Sequence, residues 1–377
     1  MVEKIIILLF FLSLSTQSYL KEELVYSELT NQENLSNFPF FSFSEDLVEA
    51  KMGKESKQII NLLIGTPPQK IRVKLSTAIC GLWILDKSVF GYGFEVLSSE
   101  TYEKMNQEGK IDFTKGIIAK DIMNFCHVNS SDKIPFLLVQ EFSDEAKMPK
   151  TFDGLIGLGY KCRSMSKTNV NVISYFISQN KNKRDIFTFK LNSATLKGRF
   201  ILGSISKEIN VKSKLYRTIP VNQLNDNGHW EVNLHSVYFD DGTLMKVNSP
   251  LSIGIGGAAL GVNSEVFAYF VFTYFKEAIE KRICKLEKNQ VYEIFCDEDF
   301  DGNFIGTLSL IVGKWNIKIP PSIMFKKVEG KNGKNKWFSI VYYEGHKGQF
   351  YLSQTMLEGI NIVVYNKEEN YLGIFQG

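Results

Sequence analysis

The sequence predicts an all-β protein with a few short helices, and three observations lead there. From Ile59 onward, short runs rich in β-branched and aromatic residues alternate with turns marked by Gly, Asn and Asp. Phenylalanine (29) and tyrosine (16) are abundant, which suits the pleated, half-buried surface of a sheet. Helical patches are few, and Phe267 to Lys285 is the clearest of them. The 377 residues suffice for two to three domain-sized units with a generous core. Lys and Arg (44) nearly balance Asp and Glu (41), leaving a net charge of +3, which gives no electrostatic footprint for a nucleic-acid partner.

In chain order, residues 1–18 read as a signal peptide. Lys4 supplies a weakly basic start, and Ile5 to Leu14 is an apolar stretch too short to span a bilayer. Thr16 and Ser18 are small residues spaced for cleavage after Ser18. The chain is therefore expected to be secreted or endolysosomal. Residues 19–50 form an acidic leader, with Glu22, Glu23, Glu28, Glu33, Glu45, Asp46 and Glu49 against Lys21. Such a segment is expected to be solvated and weakly ordered. A second apolar run, Phe267 to Phe275, lies between Glu265 and Lys276 and is also too short to span. Secretion permits disulfides. The mature chain has five cysteines (Cys80, Cys126, Cys162, Cys284 and Cys296), so at least one is unpaired or used between chains. Asn34-Leu35-Ser36 and Asn129-Ser130-Ser131 are N-glycosylation sequons.

Five segments, in order, give the chain its resemblance. The first is Leu63-Ile64-Gly65-Thr66-Pro67-Pro68-Gln69, continuing through Leu75-Ser76-Thr77-Ala78 to Leu82-Trp83-Ile84. Then come Phe152-Asp153-Gly154-Leu155-Ile156-Gly157-Leu158 and Arg199-Phe200-Ile201-Leu202-Gly203. Ile219-Pro220 with Trp230 follows, and Val363-Val364-Tyr365-Asn366 with Gly373-Ile374 closes the series. Together they resemble the pepsin-like aspartic proteases from about Ile59 to the C-terminus. The resemblance implies a bilobal pepsin-like fold with pseudo-two-fold symmetry and a cleft between the lobes. The expected division is an N-terminal lobe over 51–212 and a C-terminal lobe over 213–377, with the boundary near Lys207 to Tyr216. Cleft residues by this resemblance are Trp83, Phe113, Asp153 and Gly154. It also matches Cys296 to one half of the family's late disulfide; the usual partner further on is absent, and Cys284, just upstream across a short Lys-rich turn, is the expected partner. Cys80 and Cys162, flanking the first loop, are a second candidate pair, which leaves Cys126 free.

Where the family writes Asp-Thr-Gly twice, this chain departs. The first loop reads Ser76-Thr77-Ala78, and the second reads Gly254-Ile255-Gly256. The resemblance places Ser76 and Gly254 on the two catalytic aspartates, and Thr77, Ala78, Ile255 and Gly256 on the loop-supporting positions. Aspartic proteolysis needs two carboxylates sharing a proton, one acting as base on a bridging water and one as acid. Neither serine nor glycine titrates near the working pH. A serine nucleophile would need an oriented base, and His127, His229, His235 and His346 all lie outside both loops. Of the loop threonines, Thr77 remains, but Ile255 has no hydroxyl with which to return its bond. The family's flap hairpin is shortened around Ile111 to Ile118, with Phe113 the nearest analogue of its tyrosine. In the second lobe, Leu352-Ser353-Gln354 stands for Leu-Gly-Asp.

The expected function is accordingly that of a pseudoprotease: binding of a peptide or protein segment in the inherited cleft, with no cofactor and no metal. Two rivals stand beside it. One is an active endopeptidase using other carboxylates, such as Asp86 or Asp121, and the other is a structural or storage protein. Two further motifs lack their context. Gly254-Ile255-Gly256-Gly257-Ala258-Ala259 fits a dinucleotide fingerprint but needs a βαβ unit. Asp297-Glu298-Asp299-Phe300-Asp301-Gly302 opens like a calcium loop, yet its twelfth position is Leu308.

Overall fold

The computed structural model describes residues 59–376 apart from 112, 126–127, 144–150, 161–170, 179–183, 192–197, 204, 206–215, 223–227, 256–258, 289–290, 331–332, 343–348, 354–355 and 357–359. The expected signal segment, the acidic leader, Asn34, Gly256, Cys126, Cys162 and most of the expected lobe boundary lie outside the described residues. Within them the protein is all-β, with three sheets of nine, five and ten strands.

One local pattern occurs twice. In the nine-stranded sheet, Gln69–Ser76 runs parallel to Gly154–Leu158, which pairs antiparallel with Cys80–Leu85. In the ten-stranded sheet, Leu244–Gly254 runs parallel to Phe350–Ser353, which pairs antiparallel with Leu260–Val262. In each case a strand much later in sequence threads between the two arms of a loop. The outer arms also correspond: Cys80–Leu85 is parallel to Ile134–Phe142, and Leu260–Val262 to Gly333–Tyr342. Ser76 and Gly254 end the first strand of each repeat, opposite Gly157 and Ser353. This is the bilobal, pseudo-symmetric pepsin-like architecture.

Alternation builds each repeat. In Gln69–Ser76 the odd residues Ile71, Val73 and Leu75 are buried in the core, as a period of two requires. The second arm must approach closely. A side chain at Gly157 would put its Cβ 2.6 Å from the Ile79 carbonyl oxygen, so only glycine fits there.

The five-stranded sheet takes Ile186–Leu191 and Gly198–Leu202 from one side of the expected boundary and Tyr216–Pro220, Ile360–Asn366 and Tyr371–Gln376 from the other. Phe187 stacks on Tyr365 (4.5 Å) and both rings meet Trp230 edge-on. Trp230 Nε1 donates to the Leu158 carbonyl at 2.8 Å, linking this layer to the end of the first repeat.

The helix expected over Phe267 to Lys285 is displaced. It runs from Ser264, through a π-helical stretch at Val271–Phe275, to Glu280. Asn263 caps its start, accepting from Val266 N at 3.0 Å. Arg282, at φ 62°, turns the chain out of the helix, and Cys284–Lys288 is already a strand. No helix among the described residues is long and apolar enough to cross a membrane.

Candidate functional site

The two loops meet. Ile255 N donates to Thr77 Oγ1 at 2.8 Å, and Thr77 N donates to the Ile255 carbonyl at 3.3 Å. The link that isoleucine's side chain cannot return is thus returned by its main chain. Ser76 and Thr77 are buried, as is Ile255, while Ala78 is half-buried. Ser76 Oγ accepts from Ala78 N at 3.3 Å, closing the first loop on itself.

On the other side, Tyr351 occupies the space beside Gly254. A Cβ built on Gly254 would lie 2.4 Å from Tyr351 Oη and 2.6 Å from its Cε2. The loop sequence alone gives no sign of this, because Tyr351 comes 97 residues later. The same strands carry a buried polar group: Ser252 Oγ donates to Glu231 Oε1 at 3.2 Å and lies 3.4 Å from His229 Nδ1. So one histidine does reach the second loop's strand, two residues before Gly254. The carboxylate engages the serine, however, and this contact does not orient the imidazole as a catalytic relay would.

The remaining sequence-predicted residues sit in the buried core and the scaffold of the first repeat. Trp83 packs with Ile111, Leu137 and Phe152 in an apolar cluster, its ring 6.0 Å from Phe152 and 6.1 Å from Phe142. Lys74, buried two residues before Ser76, lies over the Phe152 ring at 5.5 Å, a cation–π contact that eases burial of its charge. Asp153 grips Arg72: Nη2 reaches Oδ1 at 2.8 Å, while Nε and the Arg72 amide reach Oδ2 at 3.1 and 3.0 Å. That bidentate bond to Asp153 raises the Arg72 pKa. Gly154 lets its strand approach Trp83, since a Cβ there would be 2.6 Å from the Trp83 carbonyl oxygen.

Glu103–Ile111 and Thr114–Asp121 form a hairpin with a two-residue tip, Ile111 facing Thr114. Phe113 is buried in that tip, and its carbonyl accepts from Ser143 N at 2.8 Å. Thr114 pairs with Phe142, so the tip is bound into the sheet and Phe113 is no free lid aromatic.

Asp86 and Asp121 are fully engaged in scaffolding. Asp86 Oδ1 caps Lys87–Phe90, accepting from Ser88 N and Oγ at 2.9 and 2.6 Å. Asp121 accepts from Ser99 Oγ (2.8 Å), Thr101 Oγ1 (2.5 Å) and Ile122 N (2.8 Å). Cys284 and Cys296 form the expected disulfide between adjacent strands. Cys80 is also disulfide-bonded, with its candidate partner Cys162 outside the described residues. Asn129 is exposed, its side-chain oxygen accepting from Asn124 Nδ2.

The nucleotide and calcium motifs dissolve. After Gly254 the next described element is the strand Leu260–Val262, where a dinucleotide site needs a helix. Leu308 is a buried strand residue, and among the described residues no cluster of His, Cys, Asp or Glu could hold a metal ion.

The family model for eukaryotic aspartyl proteases matches residues 58–376. The chain belongs to this family. It is 28% identical over 208 residues to aspartic proteinase A1 of Arabidopsis thaliana, covering 51% of this chain and 39% of that protein. Phytepsin of Hordeum vulgare is 28% identical over 210 residues, with the same coverage of 51% and 39%. Plasmepsin I of Plasmodium falciparum is 24% identical over 251 residues, 63% of this chain and 53% of it. The chain thus spans from two fifths to about half of the length of these aspartyl protease relatives.

Proposed function

We propose that this chain is a secreted or endolysosomal pepsin-fold pseudoprotease that binds a peptide or protein segment in the cleft above Ser76 and Gly254. One observation carries the reading. Where the two loops are tied together through Thr77 and Ile255, their leading residues are a serine and a glycine, and Tyr351 fills the space beside the glycine. No pair of carboxylates is there to share a proton and activate water. Asp86, Asp121 and Asp153 are poor substitutes, each holding two or more hydrogen bonds in the scaffold. Loss of a buried like-charged pair need not destabilise the fold, since apolar replacements are often neutral or better.

The reading is tested with the purified mature chain and a denatured protein substrate between about pH 3 and 6, the range in which a carboxylate dyad works. No hydrolysis is expected. Hydrolysis blocked by a statine-type inhibitor would refute it. Selection of a displayed random peptide library on the same protein tests the binding half, with enriched peptides the expected outcome.

A further inference from the structure

We propose that an exposed face of the second repeat, made by Asp240, Asp241, Tyr274 and Phe304, docks an arginine-bearing segment of a partner protein. The inference does not depend on the cleft-binding reading, because this face lies elsewhere. The turn 239–243 closes the strand pair Glu231–Tyr238 and Leu244–Gly254. Leu244–Gly254 has 11 residues, so at about 3.3 Å per residue the turn stands about 30 Å along the strand from Gly254.

Three segments distant in sequence converge there. Asp241 Oδ2 accepts from the hydroxyls of Tyr269 and Tyr274 at 2.6 and 2.7 Å, and its Oδ1 accepts from Thr243 N at 2.9 Å. These bonds tie the turn to the helix that starts at Ser264. Asp240 lies over Gly306, where a Cβ would stand 2.8 Å from Asp240 Cγ. That contact ties the turn to the short helical turn Asn303–Ile305. Phe304, two residues before Gly306, is 56% exposed, and its ring lies 6.4 Å from that of Tyr274. It is the outer end of an aromatic row that runs inward through Phe300 to Phe275.

The charge on this face is open. Both aspartates are exposed, and among the described residues neither forms an ion pair. The donors on Asp241 are two phenols and an amide, all neutral, so its charge is not cancelled. Asp240 accepts no side-chain hydrogen bond among the described residues. The segments 237–245, 262–275 and 297–313 carry seven acidic residues and no Lys, Arg or His, although the whole chain has a net charge of +3. The acidic run that opens like a calcium loop belongs to this surface, with its Phe300 packed on Phe304.

The chemistry of the face indicates its occupant. A guanidinium offers a planar fork of N–H donors to the carboxylates while its face stacks on an aromatic ring. An acidic segment would be repelled, and a purely apolar one would cover the aspartates without supplying donors.

The test uses the full mature chain and a fluorescein-labelled peptide, Gly-Arg-Gly-Arg-Gly, followed by anisotropy at low ionic strength, where surface charge is least screened. The arginine peptide should bind, and its citrulline counterpart should bind at least about fivefold more weakly. Asp240→Asn and Phe304→Ala should each weaken the arginine peptide about two- to fivefold. Both residues are exposed, so neither change removes core packing. Glu141→Gln, at an exposed carboxylate of the first repeat, should leave binding unchanged. Absence of binding, equal binding of the citrulline peptide, or an equal loss with Glu141→Gln would overturn the inference. So would a dimer of the wild type in sedimentation that Phe304→Ala dissolves, since the face would then belong to a second copy of the chain.

Discussion

Replacing Gly254 by aspartate would restore the residue type that the family resemblance places there, and the structure predicts that the protein will not accept it. The new Cβ would stand 2.4, 2.6 and 2.8 Å from Oη, Cε2 and Cζ of Tyr351, about 1 Å inside ordinary van der Waals separation. Tyr351 is 7% exposed and its strand is paired on both sides, so the ring has little room to yield. Overpacking of this kind costs about 1–3 kcal/mol. Burying a carboxylate without dedicated donors adds about as much again, giving about 2–6 kcal/mol in all. Urea unfolding of the wild type, Gly254→Asp, Tyr351→Val and the double variant forms a thermodynamic cycle. The double variant should be more stable than the sum of the single changes predicts by more than about 1 kcal/mol. Additivity within about 0.5 kcal/mol, or a Gly254→Asp protein as stable as wild type, would refute the steric reasoning. It follows that Ser76→Asp with Gly254→Asp will not yield an enzyme while Tyr351 is present.

Thr77→Val removes the acceptor for the buried Ile255 amide; a loss of about 1–3 kcal/mol and faster hydrogen exchange at Ile255 are expected, and unchanged exchange would refute the link. Replacing Cys284 and Cys296 by serine should cost about 2–4 kcal/mol, measured by urea unfolding after non-reducing peptide mapping has established the bond. Asp241 is pushed upward by burial, but donation from the Tyr269 hydroxyl, the Thr243 amide and the Tyr274 hydroxyl outweighs this and holds its pKa down at about 2, from an ordinary 3.8. A depressed carboxylate stabilises the fold fully above its unfolded value and loses that contribution as pH falls through the folded one. The thermal midpoint of wild type should therefore fall between about pH 4 and 2 more steeply than that of Asp241→Asn; parallel curves would refute the assignment.

Local sequence determined much of this protein. The alternation of apolar residues in Gln69–Ser76 and the turns specify an all-β chain, because strand periodicity and turn chemistry are set by near neighbours, and the twice-repeated architecture was implied by the resemblance that the five ordered motifs carry. The short loop between Cys284 and Cys296 made their pairing legible, and the residues standing at 76 and 254 are read from the sequence directly. Helix ends were less legible. The apolar run from Phe267 marks the helix, but the Asn263 cap and the left-handed Arg282 set its limits. What lies around the loops was decided only by tertiary structure. Tyr351 meets Gly254 because a late strand threads between the arms of an earlier loop. His229 and Glu231 meet Ser252 through the register of a long strand pair, and Asp86 and Asp121 are drawn into caps and hydroxyl networks. The Asp86 cap is local, since Ser88 lies two residues on, but each of the other contacts joins residues far apart in the chain. Their chemistry depends on which strands become neighbours and in what register, and no short window of sequence contains that information.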